Sequence, residues 1–73
     1  MKLDQHELED RILNGTRHTF ADLCDFFDAD ETQAMQIDRT LQKLRRNGKI
    51  KMRRDGRTVY WKALPQFVAP TAN

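Results

Sequence analysis

The spacing of apolar residues changes abruptly at Gly48, and no single type of element can accommodate both sides of that change. Before it, Ala34, Ile37, Leu41 and Leu44 recur at intervals of three, four and three, which places them on one face of a helix. After it the apolar residues alternate, and Asp55-Gly56 is a dipeptide that favours a tight two-residue hairpin turn. The chain therefore predicts a helix that starts after the turn Asp28-Ala29-Asp30, runs to about Asn47, and passes through Gly48 into a β-hairpin.

Folding the hairpin about Asp55-Gly56 sets Arg54 opposite Arg57, Arg53 opposite Thr58, Met52 opposite Val59, Lys51 opposite Tyr60, Ile50 opposite Trp61 and Lys49 opposite Lys62. In that register Ile50, Trp61, Met52 and Val59 share an apolar face, while Lys51, Tyr60, Arg53 and Thr58 share a wet one. Trp61 reads as core and Tyr60 as a surface residue shielding the sheet. Arg53, Arg54 and Arg57 gather at the tip, where so much like charge is unfavourable without a polyanionic partner.

Upstream, start signals place two more helices. Asp4 with Glu7 forms a capping box, Leu3 and Leu8 occupy the positions of a hydrophobic staple, and the helix is expected to reach about Asn14. Thr16 to His18 form a loop or a brief strand. Thr19 with Asp22 caps a second helix whose stripe is Phe20, Leu23, Cys24 and Phe27, and Asp30 with Gln33 caps the third. The expected fold class is α+β. Residues 1–64 make one domain, and residues 65–73, with two prolines and little charge, make a mostly flexible tail in which Phe67 and Val68 can pack on the domain.

A chain of 73 residues builds one modest core, so dimerisation or partner binding can add needed stability. One cysteine excludes an internal disulfide, no cationic start followed by an apolar run marks a secretory leader, and no apolar stretch approaches the ~20 residues of a membrane span. A cytoplasmic protein is expected. His6 and His18 are isolated and read as surface residues, without metal-ligand spacing alongside Asp25 or Asp28. Cys24 reads as a buried small hydrophobe. The sequence carries no phosphate-binding glycine loop, nucleophile elbow or paired catalytic carboxylates, so an enzyme, a cofactor and a small-molecule substrate are not expected.

Charge divides the chain. Residues 1–31 carry nine acids against three bases, and residues 32–73 carry ten bases against two acids. A molecule so polarised turns its basic half toward a polyanion. The outward face of the third helix holds Thr32, Met35, Arg39, Gln42, Lys43 and Arg46, with Gln36 at its edge and no acid among them.

Three helices followed by a hairpin, with the stretch TLQKLRRNGKIKMRRDGRTVYWKAL over residues 40–64, resemble the winged helix-turn-helix family of bacterial and phage DNA-binding proteins. The resemblance implies a third helix lying in the major groove of double-stranded DNA and a hairpin, or wing, on the backbone or minor groove. Carried onto this chain, it makes Thr32, Met35, Gln36, Arg39, Lys43 and Arg46 the recognition-helix contacts and Arg53, Arg54 and Arg57 the wing contacts. The chemistry agrees: arginine and glutamine pair with guanine and adenine edges, which favours Arg39 and Gln36 as readers, and Lys43 and Arg46 suit phosphates. Sequence-specific DNA binding, in transcription regulation, is the expected function.

The alternative is a protein-interaction module. In that reading the acidic surface from Asp25 to Glu31 docks a basic partner or a second subunit, whereas its plain reading is a solvated turn that favours the positive end of the third helix. Met35 can equally serve a dimer contact.

Overall fold

The computed structural model describes residues 1–67; Val68 and the remainder of the expected flexible tail lie outside the described residues. Three helices, α1 (Gln5–Ile12), α2 (Phe20–Phe27) and α3 (Glu31–Arg46), precede strands β1 (Ile50–Asp55) and β2 (Thr58–Ala63), and a short 3-10 turn spans Pro65–Phe67. This is an α+β layout, three helices and then an antiparallel hairpin, consistent with a winged helix.

Each helix begins where its side chains can satisfy free backbone donors. Asp4 accepts from the N–H groups of His6 and Glu7, without the reciprocal bond from Glu7 that a full box requires. Thr19 with Asp22 and Asp30 with Gln33 form complete, reciprocal boxes. At the other end of α2, Asp28 adopts the left-handed conformation (φ 48°), which an aspartate tolerates better than most side chains. There the amides of Asp28 and Ala29 close back onto the carbonyls of Asp25 and Cys24. Gly48 (φ 73°) ends α3, and the Lys49 amide then donates to the Leu44 carbonyl.

One core joins all the elements: Leu8 and Ile12 of α1, Leu23 of α2, Ile37, Leu41 and Leu44 of α3, and Ile50, Trp61 and Ala63 of the hairpin. Cys24 and Phe27 are half-buried at its margin, but Phe20, expected on the same stripe, is 40% exposed, because the first residue of α2 lies at the rim beside Met35. Phe26, on the outer side of α2, is covered on one face by the Arg11 guanidinium, 3.8 Å from the ring centroid.

The hairpin register differs from the sequence expectation by two residues. Ile50 pairs with Ala63, Lys51 with Lys62, Met52 with Trp61, Arg53 with Tyr60, Arg54 with Val59 and Asp55 with Thr58. The turn residues are Gly56 and Arg57 rather than Asp55 and Gly56. Gly56 alone has positive φ (63°), the signature of a turn that wants glycine at its first central position; an Asp-Gly centre would require both residues there. A shift of two preserves parity, so the division of residues between faces survives. Met52 is nevertheless 44% exposed, since the hairpin runs past the end of the core.

His18 is not a surface residue. It is 4% exposed and exchanges both backbone hydrogen bonds with Trp61 (N–H to O 2.9 Å, O to N–H 2.7 Å), forming a one-residue bridge that ties the α1–α2 connection to β2. Its Nε2 lies 3.0 Å from Asn14 Oδ1 and 3.2 Å from Thr16 Oγ1, which gives the buried ring its polar partners.

Candidate nucleic-acid interface

The inward stripe of α3 is sealed in the core, so its opposite face is presented to solvent. Thr32, Met35, Arg39, Lys43 and Arg46 are exposed there, and Gln42 is half-buried. Lys43 Nζ lies 3.9 Å from Glu9 Oε2 of α1, at the limit of an ion pair and exposed enough for water to screen it. Arg39 and Arg46 pair with no carboxylate among the described residues.

A polar seam runs along the edge of this face. Gln33, Gln36 and Thr40, spaced three and four residues apart, project from one side of α3 toward the N-terminal segment. Gln33 Nε2 donates to the Met1 carbonyl (2.8 Å). Gln36 Oε1 accepts from the Leu3 amide (2.8 Å), while its Nε2 donates to the Leu3 carbonyl (3.0 Å) and to Gln5 Oε1 (3.0 Å). Thr40 Oγ1 accepts from Gln5 Nε2 and donates to the Gln36 carbonyl. Residues 1–5 are thereby laid against α3.

The seam has two consequences. Gln36, expected to read adenine, has its amide engaged by the protein's own backbone and is not presented outward with Arg39. Lys2, which the sequence reading passed over, is carried to the rim of an open groove of about 460 Å³ shared with Thr32, Met35, Arg39 and Lys43. The only sequence signal for this clamp was glutamine at successive turns of α3, and nothing local identified its partners more than thirty residues away.

The three wing arginines are exposed but not equivalent. Arg53, opposite Tyr60, lies on the outer face of the sheet; Arg54, opposite Val59, lies on the face that carries the core residues; Arg57 sits in the turn. The expected Arg54–Arg57 cross-strand pair is absent, because the register moves Arg57 out of the ladder. At the base of the wing, Arg45 from the last turn of α3 shares a surface groove with Ile50, Lys51 and Met52.

Asp22, Asp25, Asp28, Asp30 and Glu31 are all exposed. Asp22 and Asp30 are committed to helix caps, and Glu31 stands in the first turn of α3, where negative charge favours the helix. Burial, then the charge of Asp25, pushes the Cys24 thiol above its ordinary pKa, which makes it a poor nucleophile at neutral pH. Among the described residues no group of three or more His, Cys, Asp or Glu side chains is placed to hold a metal, and no helix is long and apolar enough to cross a membrane. Comparison with protein-family models, curated proteins and solved structures finds no match to this chain.

Proposed function

We propose that the chain binds duplex DNA with sequence preference, α3 entering the major groove and the wing following the backbone or minor groove, in a role such as transcription regulation. The observation that carries this reading is the exposed outward face of α3, on which Arg39, Lys43 and Arg46 stand in line with Thr32 and Met35 and without an acidic residue of that face between them. Arg39 is the base reader, Met35 faces a thymine methyl, and Thr32 bonds a phosphate or base near the start of the helix. Lys43, Arg46 and Lys2 neutralise phosphates, and Arg54 and Arg57 extend that contact along the wing, whereas Arg53, on the opposite face of the sheet, does not join it. Gln36 acts indirectly, by holding the N-terminal segment and so placing Lys2. The same reading keeps the cytoplasmic location expected from the sequence.

Selection from random duplexes, repeated at two salt concentrations, tests the reading. Arg39→Ala relaxes preference at one base pair by about 1 to 3 kcal/mol. Arg54→Ala weakens all sequences alike. If both variants select the same sequences with the same affinity as the wild type, α3 is not the reader.

A second reading rests on Phe26, 56% exposed on α2 beside Asp25. An aromatic ring next to exposed carboxylates is the chemistry of an anchor for a basic protein partner. Under that reading Asp25→Lys abolishes a partner complex while Arg39→Glu leaves it intact.

A further inference from the structure

The outer face of the hairpin carries charge that the α3 surface does not use. Lys51 and Lys62 are direct cross-strand partners, Arg53 faces Tyr60 on the next rung of that face, and the Arg17 guanidinium lies 4.4 Å from the centre of the Tyr60 ring. All four cations are exposed, and none pairs with a carboxylate among the described residues. Successive rungs on one face are about 7 Å apart, inside a Debye length at physiological salt, so these charges reinforce one another. Like charges directly opposite each other destabilise a hairpin. Asp55, at the tip, is the only acid among the strand residues of this face.

We propose that this face binds the phosphate backbone of a second duplex segment while α3 holds the first. The elements themselves turn the two surfaces apart: the inward sides of α3 and of the sheet belong to one core, so their outward sides diverge. A phosphate backbone is favoured over the alternatives by what the face lacks. Tyr60 is half-buried and its ring is covered by Arg17, which leaves no free aromatic plane for an unstacked base. Met52, the one large exposed hydrophobic residue of the two strands, lies on the opposite face, so the strands give this face no apolar centre for a stable protein interface. What remains is charge alone, suited to a ligand read by its phosphates and not by its sequence. The proposal rests on the DNA-binding reading of α3 for the first duplex only.

Energy transfer between a donor-labelled and an acceptor-labelled duplex tests it, using the full chain, the Lys51→Glu/Lys62→Glu variant and Arg39→Ala. The wild type brings the two duplexes together, and transfer falls steeply with salt, by about 0.9 log units per log unit of salt for each phosphate contact. The double charge reversal leaves capture of one duplex within a few-fold and removes the transfer; Arg17→Glu, away from the strands, lowers it as well. A wild type that captures one duplex but gives no transfer overturns this proposal alone, and so does transfer that survives the double reversal. Capture that is lost with Lys51→Glu/Lys62→Glu but indifferent to Arg39→Ala makes this face the primary duplex site and overturns both the α3 reading and the two-duplex proposal. If no duplex binds, both fall. Transfer accompanied by association of the protein without DNA in sedimentation assigns the bridging to a second copy and overturns the proposal.

Discussion

Gln36 and His18 are the residues whose roles were least legible in the sequence, and for the same reason: each is defined by partners distant along the chain. Gln36 stands on the rim of the cationic face, and residue chemistry alone favours base reading; its bonds to both backbone groups of Leu3 turn it into a clamp. Gln36→Ala leaves those partly buried groups without partners and is expected to cost about 1 to 3 kcal/mol of stability in urea denaturation, with base preference unchanged. Gln36→Glu keeps the acceptor for the Leu3 amide but loses the donor, and falls between. His18 is buried against Trp61, and that burial, reinforced by the charge of Arg11, lowers its pKa below 6.5. The unfolded chain then takes up the proton first, so the stability held by the neutral ring is fully present above pH 6.5 and is lost as pH falls toward the lowered folded-state value. Urea midpoints compared at about pH 7.5 and about pH 5.5 are expected to drop in the wild type and to change less in His18→Gln.

At the scale of elements, the sequence was most informative where interactions are local. The caps at Thr19 and Asp30 are visible as residue types three positions apart, and both boxes form with the expected partners. Thr19→Ala is expected to cost about 1 kcal/mol, read as a lower melting temperature. The hairpin faces were legible because alternation is a property of the strand itself. The register was not, because Gly56 can occupy either central position of a two-residue turn, and the choice is made by which pairs reach the core. The observed register seats Ala63 opposite Ile50 and Trp61 opposite Met52, keeping six rungs while moving the ladder one residue along β1 toward the tip. It also creates the Lys51–Lys62 pair. Lys51→Glu converts that repulsion into an opposite-charge pair and is expected to stabilise the fold by about 0.2 to 1 kcal/mol in thermal unfolding. A variant that is more stable yet poorer at holding a second duplex separates the architecture of the wing from its use.

Taken whole, the molecule is polarised, and its charge was readable because position along the chain maps onto elements: acids on α1, α2 and the turn before α3, bases on α3 and the wing. Strand alternation already divides Arg53 from Arg54; what was not readable is that the packing of the sheet on the helices turns those two faces to different sides of the molecule. With about five phosphates met through α3 and the wing, log affinity for one duplex is expected to fall against log salt with a slope near −4.5, measured by fluorescence anisotropy. The bridge between His18 and Trp61 bears on such measurements. The protein has a single tryptophan, and that indole lies where the α1–α2 connection, the hairpin and the helical core meet. Its ultraviolet emission is therefore a built-in optical gauge: peeling of the wing from the helices wets the indole and shifts the band to the red, with no label attached.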